Sequence, residues 1–200
     1  MYKKFVKRLF DLSLAIMMLL IMLPILLIVS VLIALNDGFP IIFKQYRLGI
    51  NGRCFKIFKF RTMVKNAEQL GPLRTTSGDN RITEIGAKLR SLSLDELPQV
   101  VNVIVGDMSI VGPRPDIYKE YTGLTDDEKL RANVKPGITG LAQVNGRSSL
   151  TKEQRMYYDL KYVENCSFLL DIHILLKTGI KVLTKENINS AKDKKNNIGG

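Results

Sequence analysis

Leu12 to Leu35 are 24 consecutive residues without a charged side chain, centred on Pro24 and followed by a far more polar chain. As a helix, the run is long enough to cross the roughly 30 Å of hydrocarbon in a bilayer. The chain therefore reads as a membrane protein with one insertion element and a water-facing domain, and its chemistry as one that concerns something held in lipid. Two features complicate a simple crossing. Lys3, Lys4, Lys7 and Arg8 precede the run, and Lys44, Arg47, Arg53, Lys56 and Lys59 follow it, whereas a spanning helix expects its basic excess on the cytoplasmic flank alone. Pro24 lacks an N–H and crowds the carbonyl four residues earlier, which favours a kink that membrane helices tolerate when the freed groups find partners. A helix that enters, bends at Pro24 and returns to the same face satisfies both features. A spanning anchor with a proline kink satisfies the length equally. A cleaved signal peptide does not fit, because the apolar segment is too long and no small-x-small site follows it.

The remaining length suits one modest domain. A net charge of +11 fits nucleic acid, an anionic membrane surface or phosphorylated substrates. Beside an insertion element the last two lead, since each basic residue near anionic lipid gains roughly 1 kcal/mol. Cys54 and Cys166 make neither a metal spacing nor a disulfide framework. With His173 as the one histidine, mechanisms that need a histidine pair are excluded.

Past the insertion element, Ile41 to Tyr46 and Cys54 to Phe60 bracket an Asn51-Gly52 turn, which predicts a small β-hairpin. The alternation is imperfect, because Phe58 and Phe60 fall on the face of Lys56. Gly71 to Arg81 reads as a loop. Ile82, Ile85, Leu89 and Leu92 recur at helical spacing. Met108 to Val111 is a short strand candidate ended by Gly112-Pro113-Arg114-Pro115, Thr125 to Glu128 has capping-box form, and Pro136 to Gly140 reads as a rigid turn. Thr151 to Glu164 is helical in pattern. Phe168 to Leu183 is a strongly apolar helix, either core or lying in the membrane interface. The Lys- and Asn-rich tail from residue 185 reads as disordered.

The chemistry concentrates in Arg90-Ser-Leu-Ser-Leu-Asp95-Glu96-Leu-Pro-Gln99. Ser93 and Glu96 have the spacing of a capping box, and an acid at Asp95 suits the positive end of a helix. The same two carboxylates, near several arginines, can instead hold Mg²⁺, which favours one or two carboxylates plus substrate phosphates, and one of them can attack phosphorus. Phosphoryl transfer needs positioning and neutralisation of charge on non-bridging oxygens, which the planar fork of an arginine such as Arg114 supplies.

Taken together, Lys59-Phe60-Arg61-Thr62-Met63, the Asp95-Glu96 stretch, Gly106-Asp107-Met108-Ser109 leading to Pro113-Arg114-Pro115, Pro136-Gly137-Ile138-Thr139-Gly140 and Gln143-Val144-Asn145-Gly146-Arg147 resemble the bacterial sugar transferase family, the monotopic phosphoglycosyl transferases in their minimal single-domain form. The resemblance covers nearly the whole chain, with the motifs in family order. It implies a mainly α, α+β fold: a re-entrant membrane helix in 1–38, one cytoplasmic catalytic domain in 39–184 with the small hairpin and amphipathic interfacial helices, and a polar tail in 185–200. It also implies transfer of a sugar 1-phosphate from a nucleotide sugar, usually a UDP-sugar, to undecaprenyl phosphate at the bacterial inner membrane. UMP is released and a covalent phosphosugar forms on Asp95. Asp95 and Glu96 would be catalytic and would hold Mg²⁺; Lys59, Arg61, Arg114 and Arg147 would bind substrate phosphate. The family's bend is Ser-Pro in some members, whereas Leu23 precedes Pro24 here. A reading from another class is a membrane-anchored basic module that binds nucleic acid or anionic lipid without turnover. It leaves the Asp-Glu pair idle, and the aromatics form no clear stacking platform for nucleic acid.

Overall fold

The computed structural model describes residues 2–72, 75, 78–118 and 125–184; the expected disordered tail lies outside them, as does part of the Gly71 to Arg81 loop. A π-helical turn over Tyr2–Val6 leads into α1, Lys7–Asn36, which runs on through Pro24. Only Lys7, Asp11, Ala15, Val29 and Ile33 of α1 are buried. They sit toward its two ends, while Leu20, Ile21, Leu23, Leu27 and Ile28 between them are exposed. An apolar surface of that extent, continuous along a helix, calls for a non-aqueous neighbour.

Both ends of α1 are fastened to the same domain. Near the start, Lys7 Nζ donates to Asp171 Oδ2 at 2.6 Å, and Arg8 donates to the carbonyls of Val103 and Ile104 at 2.6 and 2.7 Å. Asp11 Oδ1 accepts from Ser109 Oγ and from the Ile110 backbone N–H, both at 3.0 Å. At the far end, Thr83 Oγ1 donates to Asp37 Oδ2 at 2.8 Å, and Arg61 NH2 donates to the carbonyls of Asp37 and Gly38 at 2.5 and 2.7 Å. Lys7 and Asp171 are buried as an ion pair, and Asp11 is buried against two donors, the condition under which burial of charge is tolerated.

The hairpin forms as expected, from β1, Ile42–Leu48, and β2, Cys54–Phe60, antiparallel with Ile42 opposite Phe60 and Leu48 opposite Cys54. Asn51 and Gly52 in its turn have φ of 54° and 75°, which Asn and Gly accept at least cost. The irregular alternation in β2 now has a cause. Phe55 and Ile57 enter one core with Val100, Val103 and Tyr162, whereas Phe60 faces a second, smaller core with Val29, Ile33 and Leu89. The strand serves a core on each face, and Lys59 stands between them on the face opposite to Phe60.

Thr83 caps α2, Glu84–Ser91, by accepting from Gly86 N at 3.0 Å; Ile85 and Leu89 pack inward, but the helix ends before Leu92, which is exposed. A short helix absent from the sequence reading, α3, Gln99–Val105, carries Val100 and Val103 into the larger core. The strand β3 is Ser109–Val111. After α4, Asp126–Arg131, which has its Thr125–Glu128 capping box in place, comes a correction. Gly137–Thr139, within the expected turn, is a strand, β4, parallel to β3 with Ser109 opposite Gly137. A Cβ on Gly137 would lie 2.1 Å from Gly112 N, so the glycines of the two motifs let their backbones touch. Then follow α5, Leu141–Val144, α6, Lys152–Asn165, with a Thr151–Gln154 capping box, and α7, Phe168–Leu183. On α7, Asp171 and Ile174 face inward while Leu169, Leu176, Ile180 and Leu183 form one exposed apolar stripe, as their near-heptad spacing dictates.

Candidate active site

The stretch with the acid pair does not cap a helix. Ser93 adopts a left-handed conformation, φ 57°, makes no side-chain cap, and leads into a single 3₁₀ turn, Leu94–Glu96. The expected Ser93–Glu96 box fails for a specific reason: the Glu96 side chain is drawn instead to two cations. Glu96 Oε1 accepts from Lys59 Nζ at 2.9 Å and from Arg114 NH2, and Oε2 accepts from Arg114 NH1 at 3.0 Å. Burial works to raise the Glu96 carboxyl, but Arg114 and Lys59 together overcome it and hold the group well below the usual carboxylate range. Glu96 is therefore a fixed anion.

Asp95 is in the opposite condition. It is 9% exposed and, among the described residues, takes part in none of the hydrogen bonds or ion pairs around its neighbour. Burial, and then the charge of Glu96, push its carboxyl above the ordinary value against the pull of Lys59, Arg90 and Arg114. Two adjacent carboxylates thus have divergent environments, one locked and one poorly stabilised, the pattern that assigns different roles to paired acids. Burial pushes the Lys59 ammonium below its ordinary value, with Glu96 opposing.

Arg114 is held by its backbone. Gly137 N donates to the Pro113 carbonyl at 2.9 Å, Arg47 NH1 to the Pro115 carbonyl at 3.1 Å, and Leu48 N to the Asp116 carbonyl at 3.0 Å. The Arg114 carbonyl itself accepts from Arg131 NH2. Arg131 is buried at the end of α4 and also pairs with Asp116 through NH1 and with Asp159 Oδ2 through Nε, the last at 2.7 Å. Sequence reasoning missed Arg131 and Asp159. The one local signal was an arginine ending a short capped helix, and its partners lie 15 to 28 residues away.

Of the other residues expected in the site, Arg147 joins the cluster: its NH2 donates to Ser93 Oγ at 3.2 Å, and it lines a cavity of about 200 Å³ together with Glu96 and Arg114. Arg61 sits at the end of α1, bonded to the carbonyls already described, with its buried Nε and NH1 carrying no hydrogen bond. No group of three or more His, Cys, Asp or Glu suited to a metal occurs among the described residues.

The sequence matches the profile of the bacterial sugar transferases over residues 2–185. The chain belongs to the bacterial sugar transferase family. It is 44% identical to the uncharacterized sugar transferase EpsL of Bacillus subtilis, over 91% of this chain and 89% of that one. It is 42% identical to the UDP-glucose:undecaprenyl-phosphate glucose-1-phosphate transferase of Klebsiella pneumoniae, over 88% of this chain but only 39% of the relative. It is 39% identical to the exopolysaccharide production protein ExoY of Sinorhizobium fredii, over 86% of this chain and 83% of that one. The transferase thus spans most of the shorter relatives and about four-tenths of the longer one.

Proposed function

We propose that the transferase moves a sugar 1-phosphate from a nucleotide sugar, with UDP as the nucleotide, to undecaprenyl phosphate, through a covalent phosphosugar on Asp95. The observation that carries this reading is the asymmetry of the acid pair: Glu96 is bound on both oxygens by Lys59 and Arg114, while Asp95 beside it has no such partner among the described residues and is raised by burial. A carboxylate that is desolvated and not hydrogen-bonded is a better nucleophile than one wrapped by cations. The longer relative's name specifies the corresponding transfer of glucose 1-phosphate.

In this reading an Asp95 oxygen attacks the β-phosphorus of the donor. The bond from that phosphorus to the bridging oxygen breaks, and UMP leaves with the electron pair. A phosphate oxygen of undecaprenyl phosphate then attacks the same phosphorus, displacing the Asp95 carboxylate and forming the lipid diphosphate-linked sugar. Lys59, Arg114 and Arg147 are the phosphate-binding residues. Arg114 and Lys59, already gathered on Glu96, place positive charge where an anionic nucleophile must approach an anionic phosphate, a repulsion that grows as water is excluded. Mg²⁺, when bound, would neutralise charge on the donor's diphosphate. Asp95 fits as its protein ligand, and substrate oxygens would complete the shell. Glu96 would have to surrender a cation to join it.

The membrane element is read as re-entrant. Thirty helical residues would extend about 45 Å if straight, yet both ends bond to one polar domain, which lies on one side of a bilayer. That supports a helix whose two ends return to the cytoplasmic face of the inner membrane, with the exposed stripe of α7 resting at the interface. The test is a panel of UDP-sugars incubated with the full chain in detergent: steady UMP release only when undecaprenyl phosphate is present supports the reading, and binding of the lipid without turnover of any donor contradicts it.

A further inference from the structure

The cavity beside Glu96 and Arg114 runs from the charged cluster to the membrane helix. Its lining brings Glu96, Arg114 and Arg147 together with Met18 and Met22, one turn apart on α1 in the apolar run, and with Thr178, Lys181 and Val182 of α7. Val182 is 67% exposed, so the space opens outward between the two helices, at a level where the outer face of α1 presents Leu20 and Ile21. We infer that this cavity is the acceptor subsite. A prenyl phosphate enters from lipid between α1 and α7, lays its first isoprene units against Met18, Met22 and Val182, and brings its phosphate to Arg114 and Arg147, near Lys181. The inference rests on the transfer reading above and adds where the lipid goes.

Three observations favour the lipid over the nucleotide sugar as occupant. The volume of about 200 Å³ is below the roughly 300–1,000 Å³ usual for drug-sized ligands, so it suits a head group and the start of a chain. The α1 wall offers only thioethers and methylenes, which leave the hydrogen-bonding groups of a uracil or ribose unpaired. Asp95 is not on the wall although Glu96 is, whereas the β-phosphorus of a donor has to meet Asp95 directly. Because the prenyl chain leaves an environment as apolar as the one it enters, the methionines align it and the arginines supply most of the affinity. Unbranched, polarisable Met suits such a sliding contact.

The full chain in lipid nanodiscs is photolabelled with a short polyprenyl phosphate bearing a diazirine on its first isoprene unit, with no donor present, and the adducts are mapped by peptide. Labelling at Met18, Met22 or Val182 that unmodified undecaprenyl phosphate displaces is the expected result. Labelling confined to outward residues such as Leu20, Ile28 or Leu169 overturns the assignment. In parallel, Met18→Trp should raise the acceptor KM at least tenfold while single-turnover UMP release from donor falls less than twofold; Met17→Trp, on the outward face, is the control. Equal loss in both half-reactions overturns the assignment. Photolabelling needs no chemistry at Asp95, so a missing covalent adduct would count against the transfer mechanism without touching this result, and labelling confined to outward residues would count against this site without touching the mechanism.

Discussion

Arg114 meets Glu96 fork to fork, NH1 donating to Oε2 at 3.0 Å and NH2 donating to Oε1, the oxygen that also accepts from Lys59. The pair fixes where a strong positive charge stands, one residue from a carboxylate that accepts no hydrogen bond among the described residues. Its geometry depends on a planar guanidinium.

Arg114→Lys should therefore be costly although it conserves charge, since an ammonium lacks the planar fork that meets two oxygens at once. The expected loss is about a hundredfold in kcat/KM, the scale of removing one well-placed electrostatic donor, with expression and membrane insertion unchanged. UMP release under steady-state conditions reads it. Near-normal kinetics would assign Arg114 to structure.

Arg131 positions Arg114 without touching substrate, through the Arg114 carbonyl, Asp116 and Asp159. Arg131→Lys can keep only part of that set. Loosening the loop by a fraction of an ångström should lower kcat by roughly ten- to a hundredfold and leave the acceptor KM within about twofold. An equal change in both, or a loss fully accounted for by unfolded protein, would mean that Arg131 only stabilises the fold.

Asp159 carries the cost of that clamp. Burial pushes its carboxyl up to about 6 despite Arg131, and Oδ1 is buried with no partner. In the unfolded chain it titrates near 3.8. Below about pH 4 both states are protonated and Asp159 is neutral to stability; above pH 6 both are ionised and its burial opposes folding. Its contribution to stability therefore declines as pH rises between these values, by at most about 3 kcal/mol. Thermal unfolding in detergent from pH 4.5 to 7 should show a smaller decline for Asp159→Asn than for the native chain. Parallel curves would show that Asp159 ionises normally.

The two tethered ends of α1 make a topological prediction. Single cysteines at Lys4 and Asn36, in a chain with Cys54 and Cys166 replaced, should both resist an impermeant thiol reagent applied to intact cells. Labelling of one alone would establish a spanning anchor. Pro24→Ala should leave both protected, because Arg8, Asp11, Arg61 and Thr83 hold the ends irrespective of the kink.

What was legible in the sequence followed from local rules. The apolar run, the Asn51-Gly52 hairpin, the Thr125 cap and the extent of α7 depend on neighbouring residues, and each formed as expected. The acid pair and Arg114 were legible as motifs. The role of Glu96 was not, because the Ser93 box competes with two cations that arrive from residues 37 and 18 positions away. The parallel pairing of β3 with β4 likewise spans the whole of α4 and leaves no periodic trace in three-residue strands. The roles of Asp11 and Asp171 have no local signal either. Each is a buried acceptor for long-range donors, Asp11 for Ser109 and Asp171 for Lys7 and Tyr162.

The central claim is that Asp95, released from the cations that hold Glu96, becomes covalently bonded to the phosphosugar. The full chain, incubated with Mg²⁺ and its UDP-sugar but no lipid acceptor, then quenched and digested, should release about one UMP per active site and yield a peptide containing Asp95 heavier by one sugar phosphate. The adduct should disappear on addition of undecaprenyl phosphate and be absent from Asp95→Asn. An adduct that persists in Asp95→Asn, or UMP release that requires donor and lipid together with no adduct at any residue, would contradict the account.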